Sequence, residues 1–430
     1  MIKKISILVV SLSLILLAII VFTNVDKRWK KHLKKVDNIY DNLVIAEKTI
    51  EKLEYQVKVL NSQIVFDKKY DLEKFPISFD LKKIFLDYKT LDDTQSKKTS
   101  YLLEHEDKIF IFFQSGKIAH VSTENILNGK LYLTEIKNNL YKDIISNNER
   151  FFGIKGILKI DNNELLLSYS HKENNCYTVK VLKTNLNTQN MQFENFFDPN
   201  ECVDRKPKDI EYFGLYSQGG KMIKYKNNNI LMSFGDYDLY KRKLAQDDNS
   251  IFGKIIELNL DTKEYKIFSK GHRNPQGLYY DEVKNKILEN EHGPSGGDEI
   301  NQILQNGNYG SPIVFYGRAN HETKAPTHQE LGFIEPIKFF TPESASPSGI
   351  YKFESKNEKF LNIKTDLFLM SSLAPESLFF LKFNSDLDKL INVEKVYIED
   401  RIRDLIYIDK FDTYVMALES TPAIGILKFN

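Results

Sequence analysis

The sequence predicts an all-β fold, a six-bladed β-propeller, preceded by an N-terminal transmembrane helix and a coiled-coil stalk. Three observations predict it. Residues 1–24 are dominated by one apolar run, residues 25–66 carry a heptad repeat, and residues 67–430 repeat a unit of strand, polar turn and strand. That unit returns roughly every 50 to 60 residues, so about 360 residues make six blades. Two packed β-sandwiches are the competing architecture for so many short strands.

The apolar run covers residues 5–22, interrupted only by serines, and about 18 residues suffice to span hydrocarbon as a helix. Lys3 and Lys4 precede it, and no small-residue cleavage site follows, so it reads as an uncleaved signal anchor. The cations after it (Lys27, Arg28, Lys30, Lys31, Lys34 and Lys35) would favour a cytoplasmic C-terminal part. Long domains translocate largely regardless of that bias, so the charges alone do not fix the side of the membrane.

Val36, Leu43, Ile50, Val57 and Ile64 stand seven apart, with Ile39, Ala46, Leu53 and Leu60 three positions after the first four. β-Branched residues at a and leucines at d point to a parallel coiled coil of low order, hence a homo-oligomer. The alternative is one amphipathic helix packed on its own domain. Either would form a stalk roughly 50 Å long.

The strand units fall at 108–113 with 117–121, 156–160 with 164–170, 222–225 with 230–236, 277–280 with 286–289, and 404–408 with 413–419. Each turn between them is rich in Asn, Asp or Gly. Helices beyond the stalk should be few, with 140–147 a weak candidate. Lys plus Arg (60) nearly cancels Asp plus Glu (59), so no overall field favours nucleic acid. Cys176 and Cys202 lack zinc-ligand spacing, and could be one disulfide or two buried thiols.

Chemistry concentrates in one place. Residues 271–278 (Gly-His-Arg-Asn-Pro-Gln-Gly-Leu) put a cation and a carboxamide in a tight turn. Residues 291–301 (Glu-His-Gly-Pro-Ser-Gly-Gly-Asp-Glu-Ile-Asn) follow as a glycine-rich acidic loop, and Asn308-Tyr309-Gly310 closes the set. Glycines let a backbone approach a ligand closely, and clustered oxygens suit a hard metal. Arg401 and Arg403, two apart in a strand, should point the same way, and guanidinium forks suit carboxylates.

These segments resemble the signature of the soluble, pyrroloquinoline quinone (PQQ) dependent glucose/sorbosone and aldose sugar dehydrogenases, over residues 70–430 at the level of pattern. The resemblance also implies a six-bladed propeller and an extracytoplasmic location for it, hence an N-inside anchor. It implies that Arg273, Asn274, Arg401 and Arg403 hold PQQ, and that the carbonyls of Gly293 and Pro294 face its calcium. Glu299 and the carbonyl of Tyr309 would hold a second, structural calcium. The implied activity is oxidation of an aldose or polyol hydroxyl by hydride transfer to calcium-bound PQQ, with electrons passed to an unidentified acceptor.

Two positions depart from that pattern. The catalytic histidine of the family stands two residues before Gly-Gly-Arg, and this chain has Ser217 before Gly219-Gly220-Lys221. Asp236, which in relatives orients the histidine, remains at the reacting end. A cofactor-contacting lysine of relatives is Ala374 here. A serine hydroxyl is too weak a base near neutral pH to replace an imidazole. The sequence therefore carries two expectations: a sugar dehydrogenase, or a degenerate propeller that binds a glycan or protein partner. His272 and His292 in the signature loops are expected to be structural.

Overall fold

The computed structural model describes residues 64–86, 99–140, 151–205, 213–239, 243–317, 326–420 and 423–430. The anchor, nearly all of the heptad stalk and residues 141–147 of the weak helix candidate lie outside them. Among the described residues, no helix is long and apolar enough to cross a membrane.

Six sheets, each led by one inner strand, make six blades. Blade 1 runs Ser100–His105, Lys108–Phe113, Ile118–Ser122, Thr134–Asn138, and blade 2 runs Ile154–Lys159, Glu164–Glu173, Cys176–Asn185, Glu194–Phe197. Blade 3 runs Gly219–Tyr225, Asn229–Phe234, Lys254–Asn259, Tyr265–Lys270, and blade 4 runs Pro275–Asp281, Lys286–Glu291, Asp298–Gln302, Lys338–Phe340. Blade 5 comprises Pro347–Lys352, Leu367–Ser372, Ser377–Phe383 and Leu390–Tyr397. Blade 6 joins the two ends of the domain: Ile402–Ile408, Thr413–Leu418 and Ala423–Phe429 are completed by Ser78–Phe85 and Ile64–Asp71. Sealing the ring this way removes an exposed sheet edge from each terminus.

One expectation is corrected here. Ile64, the last heptad position, belongs to a strand, and the boundary at residue 66 falls inside it. Ile64, Val65 and Phe66 are β-branched or aromatic, and the strand they begin pairs with Ser78–Phe85, a ladder that a single helix could not offer. A short helix at Thr123–Leu127 interrupts blade 1.

Every blade interface has its own apolar cluster. Phe79 and Phe429 meet Leu367 and Phe380 between blades 6 and 5, and Ile84 and Val415 meet Ile109 between blades 6 and 1. Phe112 packs with Leu165, Leu166 with Met232, Leu231 with Ile287, and Leu288 with Phe368 around the rest of the ring. Alternation explains this: odd and even residues of one middle strand, such as Leu165 and Leu166, serve opposite neighbours, so these strands are apolar on both faces.

Cys176 and Cys202 form a disulfide, with Cα atoms 5.5 Å apart. It ties strand Cys176–Asn185 to the short strand Val203–Asp204, which pairs with Tyr177 and Cys176.

Candidate functional site

All six inner strands begin at one rim of the ring, and each second strand ends there. That geometry gathers residues far apart in sequence. Five inner strands also open with a β-bulge, at 154–156, 219–222, 275–277, 347–349 and 402–404. Bulges re-aim side chains, which is why they recur beside functional sites.

At the rim of blade 4, residues 271–275 lead into the inner strand and 291–293 leave the second. Gly271 has φ +79°, and a Cβ there would lie 2.4 Å from Asn308 Oδ1. Arg273 is buried: its side chain pairs with Asp238 at 2.8 Å and donates to the His292 carbonyl at 2.9 Å, with Tyr216 beside the guanidinium. Its backbone N–H and that of Asn274 both donate to Glu291, at 2.7 and 3.2 Å. Asn274 spends its carboxamide oxygen on Gln276.

The acidic loop is built around Asp298. One carboxylate oxygen accepts from the Gly293 N–H, and the other accepts from Ser344 Oγ and the N–H groups of Ala345 and Ser346, at 2.5 to 2.8 Å. Ser295, Gly296 and Gly297 take positive φ in succession. Gly297 is pressed against Gly317, where a side chain would collide with backbone. A cleft of about 500 Å³ opens here, lined by Tyr216, Arg273, His292, Gly293, Ser344 and Ala374, among others. Gly293 faces this cleft, while the Pro294 carbonyl lies against Gly317. Burial and the charges of Arg273 and Arg403 lower the His292 pKa, against the opposing pull of Asp298.

Beneath the loop lies a buried acidic patch. Glu289 faces Asn301 across the ladder and Glu291 faces Glu299, on the strand face that packs Ile287 and Ile303 toward blade 3. All four polar residues are at most 5% exposed. The Asn301 amide donates to both Glu289 and Glu299. Burial, then the nearby Glu291, pushes the pKa of Glu289 and of Glu299 well up. Facing carboxylates destabilise a sheet unless protons or a cation neutralise them. His272, Glu289 and Glu291 have ligand atoms within 4.8 Å of one another, and Glu289 Oε1 and His272 Nδ1 have no hydrogen-bond partner among the described residues. The Tyr309 ring stacks on His272, while its hydroxyl bonds the backbone of Gln302 and Leu304. His272 is wholly buried, in keeping with a structural residue.

At blade 3, Ser217 has no solvent exposure. Its hydroxyl donates to the Arg273 carbonyl at 3.0 Å and reaches Asp236 Oδ1 at 3.3 Å. Asp236 also accepts from the Asp238 N–H and from Ser311 Oγ. Burial, with Asp238 adding repulsion, pushes its pKa up to about 8. Ser217 and Asp236 thus close on each other and on the Arg273 carbonyl.

At blade 6, Arg401 and Arg403 converge as expected, but by a different cause. Arg403 occupies a bulge between Ile402 and Asp404, so strand alternation does not align the two. Glu419 does: its carboxylate accepts Arg401 Nε at 3.1 Å, Arg403 Nε at 2.6 Å and the Thr99 hydroxyl at 2.5 Å. Burial would raise its pKa, but Arg403, Thr99 and Arg401 outweigh that and hold it at about 2.

Glu419, Asp238, Glu289, Glu291 and Tyr216 were not singled out by sequence reasoning. One signal was present: Asp236, Glu291 and Glu419 all sit at or just after the end of a second strand.

Fold and rim define a six-bladed propeller with a loop-built binding cleft at one end of the ring. The chain belongs to the Glucose / Sorbosone dehydrogenase family, whose model matches residues 106–424. It is 33% identical over 155 residues to an uncharacterized Synechocystis protein, covering 31% of this chain and 37% of that one. It is 29% identical over 184 residues to the aldose sugar dehydrogenase of Escherichia coli K12 (39% and 48%) and 41% over 115 residues to quinoprotein glucose dehydrogenase B of Acinetobacter calcoaceticus (24% and 23%). The matched stretches thus span less than half of each relative. Among solved structures, apo E. coli aldose sugar dehydrogenase superposes with TM-score 0.61 at 18% identity, covering 81% of this chain and 99% of that one. PQQ-bound aldose sugar dehydrogenase from Streptomyces coelicolor gives 0.58 at 18% (78% and 94%). At such identities these likenesses establish the fold.

Proposed function

We propose that this chain is a membrane-anchored sugar dehydrogenase-like protein that holds PQQ and calcium at the rim and acts on an aldose or polyol hydroxyl. The observation that carries it is the pair Arg401 and Arg403. Both guanidiniums are anchored through Nε alone, and among the described residues their terminal amino groups have no hydrogen-bond partner. A cofactor with three carboxylates needs such donors. The cleft volume lies in the range of cofactor sites, and its glycine-rich wall allows close backbone approach.

Arg401 and Arg403 would bind carboxylate, with Arg273, held by Asp238, on the cleft wall and Asn274 next to it in the chain. The Gly293 backbone would carry the cofactor's calcium, whereas the Pro294 carbonyl, expected to share that role, lies against Gly317; the acidic patch at Glu299, with Tyr309, would carry the structural one and relieve the repulsion there. When bound, PQQ with calcium supplies the hydride acceptor. The proton has no evident taker at blade 3: Ser217 is a buried donor, and Asp236 is itself protonated below about pH 8. That observation supports the second reading, a catalytically degenerate propeller that binds a glycan or protein partner. Its coiled coil would multiply weak sites by avidity.

Anchor (1–24), stalk (25–66) and propeller (67–430) form the proposed domain plan, with the propeller extracytoplasmic. The disulfide supports that location, since such bonds persist in oxidising compartments. The first test is calorimetric titration of the full chain in detergent with PQQ and excess calcium. Calcium-dependent binding is the expected result, and no binding at high micromolar PQQ would leave the binding-module reading.

A further inference from the structure

We propose that Glu419 is the positioning residue of the anion site, locking Arg401 and Arg403 into one rigid fork for a carboxylate-bearing ligand. This rests on the cofactor reading above for the identity of the ligand, and on geometry alone for the fork.

Each carboxylate oxygen of Glu419 takes one arginine: Oε2 receives Arg401 Nε and Oε1 receives Arg403 Nε. Thr99, which leads into the inner strand of blade 1, donates to Oε1 and fixes the carboxylate from the other side. The backbone is fixed as well. The Glu419 N–H donates to the Arg401 carbonyl at 2.9 Å, and the next N–H, of Ser420, donates to Asp400 at 2.9 Å. Asp400 is fully buried and faces Lys83 at 3.6 Å, so the corner is braced from the strand that closes the ring.

A guanidinium has five N–H donors. The described contacts use one on each arginine, which orients the group and leaves its terminal amino edge for a ligand. Two long cationic side chains without this brace would have to be ordered by the ligand itself, at a cost in affinity. Among the described residues Glu419 is the carboxylate hydrogen-bonded to both arginines, and removing its charge makes the corner more positive, which allows a decisive test. If Glu419 merely neutralised the arginines, its removal would strengthen anion binding; if it positions them, removal weakens binding despite the added net positive charge.

The experiment is titration of wild-type, Glu419→Gln, Glu419→Asp and Thr99→Val full-length protein with PQQ in excess calcium, with a thermal melt to confirm folding. Glu419→Gln should bind at least about tenfold more weakly, because its amide N–H₂ faces one arginine donor. Thr99→Val should lose a few-fold, and Glu419→Asp should recover part of the affinity. Equal or tighter binding by folded Glu419→Gln would overturn the proposal. If wild type does not bind PQQ, the cofactor reading fails separately, and the same proteins are titrated with benzene-1,3,5-tricarboxylate. Weaker binding of that anion by Glu419→Gln then supports the fork, whereas no binding by wild type overturns it. If Glu419→Gln does not fold, Thr99→Val decides: unchanged or tighter binding overturns the proposal.

Discussion

Blades 6 and 3 offer the same two rim positions, the entry to an inner strand and the exit of the second, and fill them in opposite ways. At blade 6 the exit residue Glu419 is ionised and holds two arginines whose terminal donors face no described partner. At blade 3 the exit residue Asp236 is buried, which pushes its pKa up to about 8, and it is matched with a serine hydroxyl that has no exposure. On the proposed reading the first corner would receive an anion, while the second is closed on itself. The same scaffold position therefore carries an ion-paired cluster at one blade and a buried hydroxyl–carboxyl pair at its counterpart three blades away.

The largest test of this contrast is Ser217→His. Restoring an imidazole beside Asp236 should raise turnover of an aldose with PQQ, calcium and an artificial acceptor by about 100-fold or more. Equal rates in parent and variant would mean that blade 3 is not the limiting corner. Next, Arg403→Ala should weaken PQQ binding by about 30-fold or more, since it breaks a hydrogen-bonded buried pair with Glu419; calorimetry reads this directly, and an unchanged Kd would sink blade 6 as the anion corner.

Asp236→Asn probes the closed corner through pH. An acid whose folded pKa is raised, here from its ordinary 3.8 to about 8, gives stability that is full below the unfolded value and lost as pH rises through 8. The asparagine variant, which has no such proton to lose, should gain by several kcal/mol relative to wild type as pH rises from 4 to 9. Melting temperatures that track together across that range would show that Asp236 titrates normally.

Calcium is the smallest of the four. At about 100 times its Kd it should add about 2.7 kcal/mol, seen as several degrees in melting temperature near pH 8 and lost on chelation. The gain should shrink in acid, where protons neutralise Glu289 and Glu299 instead. A Glu299→Gln variant with an undiminished calcium response would place the ion elsewhere.

Much of this molecule was legible in the chain as written. Period-2 strands, Asn-rich turns and their spacing announced the blades, because side-chain alternation and turn chemistry are local properties. Residues 271–301 stood out because glycine, proline and adjacent acids are costly outside a purpose. What local pattern could not carry was partnership. Ile64 extends a flawless heptad, yet it pairs as a strand with residues 78–85 because those residues offered a ladder. Arg401 and Arg403 could be read as neighbours from strand alternation, but a bulge removes that reason and Glu419, at the far end of a hairpin, supplies another. The blade order, the closure of blade 6 by both ends of the domain and the facing of Glu291 by Glu299 depend on contacts between distant segments. The sequence by itself determined the strands, the turns and the chemistry available at the rim. Tertiary structure decided which charges are paired, which are buried and which still face a cleft, because burial and Coulomb interaction depend on distance in space and not on distance along the chain.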